Sequence, residues 1–383
     1  MSSTPSTPIF WVGLDVHKDS VTAAVFQDRD TQPLRVDRLP TDPGKLRRWF
    51  QRLRADGEVR ACYEASGAGY VLQRSLEEWG IECHLAAPSL ILRRPGDRRK
   101  TDHREAIKLG QDFRDGRLAL IHIPTEEEER VRDVVRCRET FQREIVKSRH
   151  YILKFMRRGS FIYREGTHWT TRHLNWIRQI LVPGTLDAED RCVLTEYLAL
   201  LEYKLQRRDE LDRRIEELAL LPRFKPVVER LGCFRGFKTQ AAMVIATELG
   251  DVSRFGSPRQ LMAYVGLIPG ERSSGDQRRL GPITKAGNSR VRHVLIQAAW
   301  HYAERPAISA SRRKRQMGQD ADIIQHAWKC QHRLYKVFHR LAARKPNQVA
   351  ATAVARELVG FLWAALRDIE LNHTINEPMN QAA

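Results

Sequence analysis

A chain of 383 residues, 42% hydrophobic and 29% charged, is too long for one ordinary compact domain and too apolar to be disordered, so two folded domains and a connecting element are expected. Its 65 lysines and arginines outnumber 47 acids and leave a net charge of +18, which favours a nucleic-acid partner. A membrane or secreted protein is disfavoured, because no stretch approaches roughly 18 uninterrupted apolar residues and residues 1–8 lack the charged-then-apolar profile of a secretory leader; the cytoplasm is the expected location.

Two apolar, β-rich runs, Phe10 to Leu14 and Ser20 to Phe26, are joined by Asp15-Val16-His17-Lys18-Asp19 and read as a hairpin. A third strand over Leu34 to Leu39 precedes Pro43-Gly44 and an amphipathic helix carrying Leu46, Trp49, Phe50 and Leu53. Strand Val59 to Glu64, helix Tyr70 to Trp79 and strand Ile81 to Ala86 follow. Three strands and then alternating helix and strand is the element order of an RNase H-like domain. Past Pro88, the basic connector with Arg93, Arg94, Arg98, Arg99 and Lys100 around Pro95-Gly96 reads either as a phosphate-contacting segment or as a solvated turn. A helix begins near Thr101. A long one starts at Glu126, where the acids Glu126 to Glu129 suit the positive end of a helix dipole.

Farther along, Leu194, Leu198, Leu201, Leu205, Leu211, Ile215 and Leu218 form a stripe with one six-residue step. It is either a coiled-coil seam with a stammer, and so a sign of an oligomer, or one face of a packed helix. From about Arg223 the chain reads as wholly helical, with helices near Thr239 to Leu249, Pro258 to Val265, Asn288 to Ala303 and Ile323 to Ala342. A glycine-dense loop from Gly266 to Asn288 interrupts them, and loops of this length are often functional. The residues after about Leu371 read as a loose tail. Cys62, Cys83, Cys137, Cys192, Cys233 and Cys330 form no CxxC pair and the histidines no HExxH pair, so zinc and disulfide frameworks are disfavoured and buried, reduced thiols expected.

Asp15 ends the first strand and Glu64 the fourth, neighbouring positions in an RNase H-like sheet. Asp102 and Glu105, three apart at the head of a helix, can face one point. Together the four supply the carboxylates that Mg²⁺ prefers; the competing reading makes Asp15 and Asp19 a turn and Asp102 with Glu105 a capping box. In the glycine-rich loop, Ser273-Ser274-Gly275 lies among Arg272, Arg278, Arg279 and Lys285. It is a candidate nucleophile in a cationic setting, or a polar turn.

Gly13-Leu14-Asp15-Val16-His17-Lys18, Tyr63-Glu64-Ala65-Ser66-Gly67, Lys100-Thr101-Asp102 with Glu105-Ala106, and the run from Ala263-Tyr264-Val265-Gly266 through Ser274-Gly275 to Ile283-Thr284-Lys285-Ala286-Gly287-Asn288 resemble the DEDD transposases of the insertion-sequence 110 family. The resemblance implies a RuvC-like domain over residues 8–125, a helical coiled-coil and oligomerisation region over 126–222, a mainly α-helical transposase domain with the serine loop over 223–371, and a tail over 372–383. It implies Mg²⁺ on Asp15, Glu64, Asp102 and Glu105, with Ser274 as covalent nucleophile and Ser273 as the fallback. It further implies donor and target DNA, a structured guide RNA that pairs with both, a homo-oligomer (dimer or tetramer) sharing its sites between subunits, and a bacterial, nucleoid-associated location. The expected nucleic-acid contacts are the basic connector, Arg272, Arg278, Arg279, Lys285, Arg290 and Arg292. Two features depart from the family. Glu105 stands where its members carry aspartate, and Leu231 to Phe237 resembles a degenerate helix-hairpin-helix whose amides could meet phosphate. The rival functions are a RuvC-like junction nuclease without a serine intermediate, and a catalytically decayed nucleic-acid-binding protein.

Overall fold

The computed structural model describes residues 7–91, 101–271, 277 and 279–369. They form two compact units, one up to Pro124 and the other from Thr125 onward.

In the first unit, β1 (Ile9–Val16) and β2 (Ser20–Gln27) make the expected antiparallel hairpin, and β3 (Arg35–Pro40) pairs antiparallel with β2. Helix α1 (Pro43–Asp56), capped by the Asp42 side chain, leads to β4 (Glu58–Glu64), parallel to β1. Helix α2 (Val71–Glu78) then leads to β5 (Glu82–Ala86), parallel to β4, and α3 (Asp102–Arg114) follows. The sheet order is β3-β2-β1-β4-β5. Alternation divides the strands between two cores. Phe10, Val12, Leu14, Val59, Ala61 and Tyr63 pack with Leu46 and Phe50 of α1 and Leu76 of α2. On the opposite face, Trp11, Cys62, Ala24 and Phe26 pack with Ala106, Leu109 and Phe113 of α3. Burying each large side chain is worth about 1.5–3 kcal/mol.

Helix α3 meets β1 backbone to backbone. A Cβ on Gly13 would lie 2.2 Å from the Gly110 nitrogen and 2.3 Å from the Ala106 oxygen, and one on Gly110 would strike the Phe26 ring at 2.7 Å. Only hydrogen fits at either position, so the two glycines set how deeply the helix sits on the sheet.

The second unit is almost entirely helical. Thr125 and Glu128 form a capping box at the start of α4 (Glu126–Arg158), and buried Glu128 also pairs with Arg223. After α5 (Thr171–Ile180), α6 (Ala188–Leu218) returns antiparallel along α4. Val131 and Val135 share a core with Ile215 and Leu218, Arg138 Nε donates to Asp212 Oδ1 at 2.8 Å, and Ile145, Ile152 and Met156 share another core with Leu194, Leu198 and Leu201. The leucine stripe of α6 therefore faces α4 of the same chain, and it is no longer an argument for an oligomer. Cys137 and Cys192, expected to be buried, are exposed. Each lies two residues from a buried position (Val135, Leu194), and two helical steps turn a side chain to the outer face.

Next come α7 (Lys225–Gly232), α8 (Thr239–Leu249), α9 (Pro258–Tyr264), α10 (Ser289–Trp300), α11 (Ala310–Gln316), α12 (Ala321–Ala342) and α13 (Asn347–Leu366). The expectation of a wholly helical end is corrected: β6 (Pro269–Glu271) and β7 (Leu280–Ile283) form a small antiparallel ladder. Proline and glycine at both stems hid it, since both residues are depleted in strands. Among the described residues, α13 alone is long and apolar enough to cross a bilayer by length and composition. Here it lies in the core, where Val354, Leu358, Val359 and Leu362 are buried.

Adding one methyl at the α3–β1 contact should overpack it by about 1–3 kcal/mol. Gly13→Ala is expected to lower the urea concentration at which the β1 and β2 amides lose hydrogen-exchange protection. Gly67→Ala, whose Cβ meets nothing within 4 Å, should stay within about 0.5 kcal/mol of the parent. Identical midpoints for the two variants would refute the contact's role.

Candidate active site

Strand parity explains why the acids gather. Leu14 pairs with Tyr63 in the parallel β1–β4 register, so the next step places Asp15 beside Glu64 at the C-terminal ends of both strands. Gly13 and Cys62, two residues earlier, face α3, and Asp15 and Glu64 share that face. Because α3 touches Gly13 through Ala106 and Gly110, its preceding turn carries Asp102 and Glu105 toward the same edge. The helix cap is Thr101, whose hydroxyl accepts from the Arg104 amide. The alternative capping box of Asp102 with Glu105 is thereby excluded, since Asp102 is the first helical residue rather than the cap.

His17 Nε2 donates to Asp15 Oδ2 at 3.1 Å and lies 3.5 Å from Asp102 Oδ1. Asp15, His17 and Asp102 each offer a ligand atom within 4.8 Å of the others. Glu64 and Glu105 line the same cavity as Asp15 and His17, about 700 Å³ in volume. Burial pushes the Asp15 carboxyl above its ordinary value; His17 pulls it back, while Glu105 and then Asp102 raise it further. The pocket thus gathers the carboxyls of Asp15, Glu64 and Glu105, with His17 and Lys18 as the basic residues of its lining. Hard carboxylate oxygens so gathered fit a divalent cation of the Mg²⁺ or Mn²⁺ kind. His17 was not among the expected site residues. Its signal was the two-residue spacing from Asp15, which returns a side chain to the same side of an extended chain.

Ser273, Ser274, Arg272 and Arg278 lie outside the described residues, as do Arg93, Arg94, Arg98, Arg99 and Lys100. The stems of the serine loop are described: Glu271 pairs with Leu280 and Pro269 with Ile283. Below them Gly266, at φ +68°, and Gly287, at φ +74°, lie against the backbones of Ala286 and Tyr264 with no room for a Cβ. Arg292, expected to contact nucleic acid, donates from Nη1 to the carbonyls of Val265 (2.8 Å) and Ala286 (3.2 Å) and so also staples the loop root. Asn288 Nδ2 donates to Glu248 Oε2 at 2.8 Å, and Arg136 Nε to Glu248 Oε1 at 2.7 Å. Burial alone would raise the Glu248 carboxyl; the Arg136 and Asn288 hydrogen bonds outweigh it and hold the group below the ordinary glutamate range. Arg290 is also engaged, by Glu139 and at 3.7 Å by Glu248. Lys285 is exposed, at φ +55°, and Arg279 donates to the Gln277 side chain.

Two family models match the chain. A DEDD-type transposase model covers residues 12–160, which include all four acids, and one described as transposase IS116/IS110/IS902 family covers residues 228–314. Similar proteins include a putative transposase, y4qE, of Sinorhizobium fredii (37% identical, covering 94% of this chain and 88% of that one). The transposase for insertion sequence element IS1533 of Leptospira borgpetersenii is 27% identical over 88% of this chain and 97% of its own. A probable family 20 transposase of Pseudomonas aeruginosa is 26% identical over 93% and 96%. With similarity of this extent joining the carboxylate pocket to the loop-bearing unit, the chain belongs to the IS116/IS110/IS902 family of DEDD transposases, which act in DNA recombination.

Proposed function

We propose that the chain is an RNA-guided DNA recombinase that cuts and rejoins strands through a covalent phosphoserine, with Mg²⁺ held by Asp15, Glu64, Asp102 and Glu105 on an RNase H-like, RuvC-like domain. The observation that carries this reading is the approach of Asp15 and Asp102 at one sheet edge, beside a cavity that Asp15, Glu64 and Glu105 line. Ser274 and the guide RNA enter from the motif resemblance, and a net charge of +18 suits both nucleic acids.

The bound cation would neutralise charge gathering on the scissile phosphate and on the displaced oxygen. His17 orients the Asp15 carboxylate through its hydrogen bond. Glu105, whose oxygens sit one methylene farther out than an aspartate's, still lines the pocket beside Asp15 and raises its carboxyl. In the covalent step the Ser274 hydroxyl gives its proton to a base, Oγ bonds to phosphorus, and the displaced deoxyribose oxygen leaves with a proton. The hydroxyl of the new partner strand then attacks the phosphoserine and the serine regains its proton. One phosphoester is exchanged for another at each stage, so joining consumes no nucleotide. Arg279 and Lys285, on the stem and root of the loop, supply positive charge for the phosphate.

Asp15→Asn should lower strand cleavage by roughly three orders of magnitude or more. Its melting temperature near neutral pH should be unchanged or higher. The sign follows from the raised carboxyl: above that pKa the ionised form opposes folding, and stability is regained as pH falls through it. Undiminished cleavage overturns the metal assignment, whereas a large drop in melting temperature makes Asp15 structural. Glu105→Asp should keep or raise activity.

A nicked suicide substrate should trap a protein–DNA adduct that survives a denaturing gel. Ser274→Ala should abolish the adduct while nucleic-acid binding persists, and Ser273→Ala should be mild. An adduct lost only in Ser273→Ala moves the nucleophile by one residue. If neither change matters, hydrolysis at the carboxylate site becomes the better account. Sequencing RNA that copurifies with the protein tests the guide, and a random pool of cellular fragments would count against it.

A further inference from the structure

The second unit holds a cavity of about 920 Å³, built entirely apart from the acidic pocket. Among its described lining residues, seven lysines and arginines face two glutamates. Two of these cations are committed to lining carboxylates, Arg290 to Glu139 and Arg235 to Glu304, and Arg138 is held by Asp212. Arg143, Lys238, Arg312 and Arg315 make no ion pair among the described residues.

Arg312 is the most deeply buried of these four cations. Its residue is 8% exposed, Nη1 donates to the Ala307 carbonyl (2.7 Å) and to Gln331 Oε1 (3.2 Å), and its buried Nε meets no acceptor. Burial first, then Arg235 and Arg315, push its pKa down, whereas Tyr302 acts the other way. Burying a charged group with one donor unpaired is costly, and negative charge in the cavity that Arg312 lines would offset the cost electrostatically.

The backbone contributes as well. Helices α7 and α8 are joined by a turn in which Gly236, at φ +89°, is pressed against Ala298 of α10. Helix α8 runs for 11 residues, and Lys238 at its cap position makes no side-chain capping hydrogen bond. Lys238, Gln240 and Ala241 all line the cavity, so the positive end of the helix opens into it.

We propose that this cavity grips the sugar-phosphate backbone of duplex DNA. Small-molecule pockets are lined mainly by apolar groups with a few polar ones, whereas this cavity adds seven cationic side chains to its apolar lining. Single strands are usually held by bases stacked on aromatic rings. The lining offers Phe237 as its aromatic carbocycle, and that residue is only 1% exposed. A duplex keeps its bases stacked inside and presents phosphates, which is what guanidinium groups and helix amides recognise. DNA is the choice because the family recombines DNA. The proposal depends on neither the serine nor the carboxylate tetrad.

Arg143 and Lys238 are exposed at the cavity, so Arg143→Gln with Lys238→Gln should fold normally. Anisotropy titrations of the full chain with a labelled duplex of arbitrary sequence would be run across a salt series. Losing two phosphate contacts should flatten the log–log salt slope by roughly 2. Affinity at moderate salt should fall about tenfold or more. Arg344→Gln with Lys345→Gln, an exposed pair away from the cavity, should change neither by a comparable amount. Unchanged slope and affinity in the cavity pair, or an equal loss in the control pair, overturns the proposal. A loss confined to single-stranded DNA or to an RNA duplex of the same sequence also overturns it. None of these readouts involves cleavage, so they stand apart from the test of the serine mechanism.

Discussion

The acidic pocket depends on a place where no side chain fits. Because Gly13 and Gly110 let β1 and α3 meet through their backbones, the turn of α3 that precedes the contact falls at the C-terminal edge of the sheet. Burial first, and then repulsion from Glu105 and Asp102, raises the Asp15 carboxyl there. Tight packing beneath opposes that repulsion. The fold supplies a rigid contact on one side of α3 and an electrostatic cost on the other, which a bound divalent cation would offset.

The second unit uses a different device for its loop. A single buried carboxylate, Glu248, is shared by Arg136 from α4 and Asn288 at the loop root, with Arg290 nearby. A buried acid is tolerable only when its hydrogen bonds outweigh desolvation, and here they do. Helix α8 thus ties together the long helical hairpin, the root of the serine loop and, at its other end, the basic cavity. Around Glu248 charge holds backbone segments in register, whereas around Asp15 the neighbouring acids oppose one another.

Much of the first unit was legible from the chain alone. Period-two patterning with turn residues marked β1, β2, β4 and β5, and Pro43 and Thr101 marked helix starts. Asp15 and Glu64 could be paired because parallel strands ending together put their last residues side by side. What stayed hidden was long-range. The leucine stripe of α6 did not reveal that its partner was α4 of the same chain, since a seam looks alike from either kind of neighbour. Helix α13 is buried on many sides and lacks the contrast that betrays an amphipathic helix, and α11 is short and polar. Arg292 read as a nucleic-acid contact, and nothing local told of the two carbonyls that its Nη1 meets. The basic cavity draws on α4, α8, α10 and α11, which lie far apart in the chain, so no motif could announce it.

The glycine contact has an evolutionary side. Any base change at the first or second position of a glycine codon replaces it, and at Gly13 every replacement puts a side chain where a peptide group already stands. A drifting copy of such a gene can therefore retain all four acids while its first unit has lost the means to place them. Inspection of the acids alone would count that copy as intact, so the small residues beneath the site are the better register of whether an element is still able to move.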